Sequence, residues 1–191
     1  NGELVGALSQ GEEAMLLLET TPFYAESGGQ VGDSGFLQFA NGSVFTVRDT
    51  QKSPTGHLLH IGELSSGAIK VGDILTAVVD QDRRRAIMRN HTAAHLLQAA
   101  LREVLGTHVH QAGQMVDEHV CRFDFTHFSA VTPQELEQVE RKVNRMILDS
   151  LNVGVSEQSI EDAKAQGALA LFDRKYAEMV RVCNISGQSI E

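Results

Sequence analysis

The sequence predicts an α+β protein: a small antiparallel β-barrel or sandwich over residues 1–80, then an α+β domain over residues 81–191 whose helices pack on an antiparallel sheet. Three observations lead there. Upstream of Asp80, short apolar stretches alternate with turns, whereas downstream the apolar residues recur at helical spacing. The charge balance changes at the same place, from three basic against ten acidic side chains in residues 1–80 to thirteen against fifteen in residues 81–191.

In order along the chain, strands are predicted at Ala14 to Leu18, Gly35 to Phe39, Val44 to Val47, His57 to Ile61 and Ile74 to Val79. Asn41-Gly42 separates two of them with the strongest short hairpin signal, because both residues tolerate positive φ. Leu96, Leu97, Ala100, Leu101, Val104 and Leu105 then mark a helix that Gly106 ends. Val120 to Phe125 alternates as a strand with one wet face. Thr132-Pro133-Gln134-Glu135 opens a second helix as a capping box, with Leu136, Val139, Val143 and Ile147 as its buried stripe. Strands at Val153 to Ser156 and Val180 to Ile185 flank a short helix from Ile160 to about Ala168.

Composition narrows the class. With 191 residues, 42% of them hydrophobic, the chain is long enough for one substantial core or two small ones. Two cysteines fit a reducing compartment better than a disulfide scaffold, and no apolar run approaches a membrane span, so a cytoplasmic protein is expected. The first residue is Asn rather than Met, which reads as a piece of a longer protein. A net charge of −9 argues against indiscriminate binding to nucleic acid, so neither DNA nor a membrane is an expected partner.

Three segments have more chemistry than packing needs. His91-Thr-Ala-Ala-His95 sets two imidazoles on one helix face, a spacing that serves equally as polar punctuation or as half of a zinc site. Thr92 stands where a zinc-peptidase helix of the H-E-x-x-H type has its glutamate, which points away from peptide hydrolysis. Thr21 to Gly35 packs four glycines beside Ser27, Gln30 and Asp33, as either a glycine-rich hairpin connection or a cradle for a small polar ligand. Arg83, Arg84, Arg85 and Arg89 precede the histidines, as a solvated face paired with acids or as a contact for phosphates.

Four stretches in order carry a resemblance: Thr21-Pro-Phe-Tyr-Ala-Glu-Ser-Gly-Gly-Gln-Val-Gly-Asp33, Arg84 through His91 and His95 to Leu97, Gly106-Thr-His-Val-His-Gln-Ala-Gly113, and Arg122-Phe-Asp-Phe-Thr-His127. Together with Ala163 to Phe172 they make the chain similar, over essentially its whole length, to the editing domain of bacterial-type alanyl-tRNA synthetases. The resemblance implies hydrolysis of tRNA(Ala) mistakenly loaded with serine or glycine. A pocket shaped for alanine rejects neither strongly, so a second hydrolytic sieve is physically reasonable.

On the same resemblance, His91 and His95 match two ligands of a single zinc ion, and the other two belong to a Cys-x-x-x-His motif beyond residue 191. Cys183 is not that cysteine, because position 187 is Gly; it is expected in the core. Gln111 matches a pocket residue that orients the attacking water or holds the terminal ribose. Ser27, Gly28, Gly29, Gln30 and Asp33 match the other pocket wall, with the Ser27 hydroxyl placed to recognise the serine Oγ. Arg84 and Arg89 are candidates for the tRNA acceptor end. ATP belongs to the separate catalytic domain of such synthetases, outside these residues. His57, His60, His108, His110, His119 and His127 read as structural or surface residues, with His108 the nearest to the site. Two rivals stand beside this reading: a free-standing or threonyl-type editing domain, and a non-catalytic tRNA-docking zinc module.

Overall fold

A computed structural model describes residues 3–168 and 178–190. It is α+β and built on antiparallel sheets. Two compact units divide the chain, residues 1–90 with 115–120 and residues 91–114 with 121–191.

The first unit contains β1 (Ala7–Ser9), β2 (Glu13–Leu17), β3 (Gly35–Phe39), β4 (Val44–Lys52), β5 (Leu58–Ser66), β6 (Ala68–Lys70), β7 (Leu75–Val79) and the start of α1 (Gln81–Leu105). Alternation builds its core. Along β3, Leu37 and Phe39 are buried while Phe36 and Gln38 face solvent. Leu37, Phe45, Val47, Leu64 and Val79 meet Leu8, Phe23 and Ile69 in one cluster. Burying a side chain such as Phe45 contributes about 1.5–3 kcal/mol. Asn41-Gly42 makes the β3–β4 turn, with Gly42 at φ 87° and the Asn41 carboxamide accepting the Ser43 N–H at 2.9 Å.

The expected closed barrel is not formed. The strands run β2-β5-β4-β3-β7, which leaves β2 and β7 as edges, and β1 pairs with β6 in a separate ribbon. Register shifts in β4 bend the sheet, but Leu8 and Ile69 of the ribbon cover the core in place of closure. His60, wholly buried on β5, is part of this packing. Its Nδ1 donates to the Leu16 carbonyl at 3.1 Å, so its Nε2 accepts from the Thr21 hydroxyl at 2.7 Å. Burial pushes its pKa below the usual histidine range, against the Leu16 bond, which acts the other way.

The second unit takes α1 from His91 onward, then the hairpin β8 (Gln111–Val116) with β9 (Cys121–Phe125), of which residues 115–120 belong to the first unit. It continues with α2 (Pro133–Leu148), β10 (Val153–Ser159), α3 (Ile160–Ala165), β11 (Met179–Ile185) and β12 (Ser189–Ile190). The capping box forms on α2: the Thr132 hydroxyl accepts the Glu135 N–H, and the Glu135 carboxylate accepts the Thr132 N–H at 2.8 Å. Ala100, Leu101 and Val109 pack with Val139, and Leu97, Val104, Phe123, Phe125 and Val143 surround them. The helices thus lie on the hairpin. Cys183, expected in the core, is only half-buried opposite Val155, while Val182 and Ile185 of the same strand take the buried places. Residues 169–172 of the Ala163-to-Phe172 stretch lie outside the described residues. Among the described residues no helix is long and apolar enough to cross a membrane.

Candidate functional site

Helix α1 carries Arg84, Arg89, His91 and His95 of the predicted residues. Asp80 starts it, its carboxylate accepting the Arg83 N–H at 3.0 Å. The helix begins at Gln81, well ahead of the apolar periodicity, so the arginine cluster lies inside it.

In the first unit the arginines separate into two kinds. Arg83 donates to Glu118 at 3.0 Å and to the Gly32 carbonyl at 2.8 Å. Arg84 holds the Asp33 carboxylate through Nε at 3.2 Å and through Nη2, and reaches the Pro22 carbonyl at 2.7 Å. The side chains of Arg85 and Arg89, four residues apart on the helix, are exposed. The Glu118 carboxyl is held below its ordinary range by its own backbone N–H and then by Arg83, against desolvation.

The glycine segment is tied to those arginines. Ser27 and Gln30 exchange backbone hydrogen bonds of 3.2 and 3.0 Å across Gly28 and Gly29, both at positive φ, which makes a tight two-residue hairpin turn. Val31 and Gly29 bond Val116 on either side, at 3.1 and 2.8 Å. Asp33 is 2% exposed; besides Arg84, it accepts the Tyr24 N–H at 2.6 Å. Gly32 has no room for a side chain, because a Cβ there would collide with the Thr50 carbonyl. Ser27 is exposed and Gln30 half-buried.

In the second unit His91 and His95 are half-buried, and their rings lie parallel, 6° apart in plane with centroids 5.1 Å apart. Gln98, one turn further along the same face, is 1% exposed, and its Nε2 has no hydrogen-bond partner among the described residues. Helical side chains lean toward the helix N-terminus, so this amide lies over the turn of Ala94 and His95. Arg102 continues the face and donates to the carbonyls of Thr107 and Val109, at 2.8 and 2.7 Å. That brings the start of β8, with the half-buried Gln111, to this end of the helix.

As donors, two imidazoles fit zinc, which takes nitrogen and sulfur ligands four at a time. Among the described residues no group of three or more His, Cys, Asp or Glu could hold a metal. The sequence reading missed Gln98, although its spacing from the histidines, seven and three residues, was a signal. A cleft of about 410 Å³ in this unit is lined by Arg102, Glu103, Met146, Gln166 and Ser189 among others, and by none of the predicted site residues.

Comparison with known proteins gives one match to a family model and many to curated sequences. The model described as tRNA synthetases class II (A) matches residues 1–83. An alanine–tRNA ligase of Acetivibrio thermocellus is 49% identical over 189 residues, 99% of this chain and 21% of that protein. Those of Bacillus mycoides and Bacillus subtilis are 47% and 46% identical over 191 residues, all of this chain and 22% of each relative. The chain therefore spans about a fifth of the length of the relatives it matches.

Proposed function

The chain belongs to the alanine–tRNA ligase family over its whole length, and from that premise we propose that it is the proofreading part, hydrolysing tRNA(Ala) loaded with serine or glycine. One observation carries this reading: a parallel histidine pair and a buried, unanswered amide share one face of α1, with Gln111 at the strand that this face anchors. A helix face used only for packing has no need of either. Joining alanine to tRNA(Ala), with ATP, is assigned on the same reading to other parts of the parent protein.

His91 and His95 would hold one zinc ion, with two further ligands from beyond residue 191. When bound, the ion supplies Lewis-acid polarisation of an ester carbonyl or a more acidic water. The chain's own groups do the rest. Gln111 offers an amide to orient the attacking water or the terminal ribose. Taken by itself, the first unit offers the Ser27 hydroxyl and the Gln30 amide to a small polar ligand. Asp33 and Arg84 spend their charges on each other, so they position the Gly28-Gly29 turn. Arg89, with Arg85, is the exposed pair suited to RNA phosphates.

The test is release of labelled serine from Ser-tRNA(Ala). The protein should release it above the rate without protein, and His91→Ala should lower that release on the order of 100-fold, the upper range seen when the support of a metal ligand is lost. Binding of the tRNA with no release would assign the chain to the docking module instead.

A further inference from the structure

Phe128 is 86% exposed, against 46% for Phe36, the other phenylalanine well open to solvent among the described residues. It is also held in place. One face of its ring lies on the His108 imidazole, with centroids 4.3 Å apart and planes 25° apart. His108 in turn stacks on His127 at 5.0 Å and 19°, and its Nε2 shares a proton with His127 Nδ1 across 2.8 Å. The backbone beneath is pinned as well: the Thr126 N–H donates to the His110 carbonyl at 3.0 Å, the Thr126 hydroxyl donates to the His108 carbonyl at 3.2 Å, and Arg102 grips Thr107 and Val109.

A pre-ordered aromatic stack with its outer face in water is how proteins receive unpaired RNA bases, which splay out and lie on Phe, Tyr, Trp or His rings. An aliphatic docking patch would look different. Here Thr126 and Ser129, near Phe128 in sequence, and His110, bonded to Thr126, are all exposed and polar.

We propose that Phe128, backed by His108 and His127, is a stacking platform for an unpaired base at the single-stranded end of the RNA substrate. The proposal rests on the hydrolytic reading above and adds to it where the nucleotide lies. Gln111 follows His110, whose carbonyl accepts the Thr126 N–H, and Phe128 is two residues past Thr126, so the ring lies within roughly 10 Å of the start of β8. A base on the same strand end as the ester reaches that far.

The test uses a short RNA hairpin whose unpaired 3′ end terminates in 2-aminopurine, with an otherwise identical RNA lacking that base. Wild type should quench the 2-aminopurine on binding. Phe128→Ala should abolish the quench and weaken binding about 5- to 150-fold, and Phe128→Tyr should restore both. The RNA lacking the base should bind wild type and Phe128→Ala alike, because the contact is then already gone. Serine release is followed in parallel. Quench and affinity unchanged in Phe128→Ala overturn the platform, and if wild type still releases serine the hydrolytic reading stands. Neither binding nor release by wild type overturns both. A Phe128→Ala variant that loses self-association while binding RNA normally reassigns the ring to protein contact and overturns the proposal.

Discussion

The glycine turn and the histidine face of α1 both read in the sequence as polar segments in search of a ligand, yet they use their polar groups in opposite ways. In the turn, Ser27 and Gln30 bond each other, Asp33 takes up Tyr24 and Arg84, and Gly32 takes up Arg83. On the helix face, the Gln98 Nε2 is buried and has no hydrogen-bond partner among the described residues. A buried donor without a partner costs about 1–3 kcal/mol. A polar segment that satisfies itself holds the chain in place, whereas the Gln98 amide keeps a cost inside the fold that its own unit's described residues do not relieve.

Breaking the self-satisfied side should show first and most strongly as lost stability. Asp33→Ala leaves Arg84 without its carboxylate; severing a buried pair costs about 3–5 kcal/mol, and the 26% exposure of the Arg84 side chain sets the expected loss near the lower end, about 3 kcal/mol. Denaturant unfolding measures it. A variant as stable as wild type would mean that the pair is not what holds the turn.

The unanswered side should respond the other way. Gln98→Leu replaces an orphaned amide by an apolar group of similar size, so stability should rise by about 1 kcal/mol while serine release falls. Should both fall together, the amide is bonded in solution and its place in the site is lost.

The smallest effect sharpens the same contrast through pH. His60 is buried and neutral in the first unit, with its folded pKa depressed by burial. The unfolded chain takes up a proton near pH 6.5 that the folded chain does not, so this stability is whole above that value and declines as pH falls from it toward the lower folded pKa. Unfolding free energies at successive pH values follow the decline. Stability that rose on acidification through this window would contradict the neutral, buried ring.

Much of this was legible in the residues. The capping box of α2 and the Asn41-Gly42 turn rest on local rules that tertiary contacts leave alone. So does the alternation of β3. Strand closure was not legible, because whether β7 meets β2 depends on sheet curvature and on a β1–β6 ribbon too short to show a pattern. The start of α1 escaped because Arg83 to Arg85 interrupt apolar periodicity while favouring the helix; their partners, Glu118 and Asp33, lie far off in sequence. Composition alone could not decide between turn and ligand cradle at Gly28-Gly29, and the positive φ of both residues with the Ser27–Gln30 bonds shows a hairpin turn. Gln98 looked like one more helix residue, since only burial reveals an unanswered amide.

The most direct measurement takes serine release and unfolding free energy on the same preparations of wild type and His95→Ala. Because His95 is half-buried and outside the apolar cluster, His95→Ala should stay within about 1 kcal/mol of wild type in stability and yet lose release on the order of 100-fold. A His95→Ala protein that releases serine at the wild-type rate, or one whose loss of release merely follows its loss of folded protein, would contradict the hydrolytic reading.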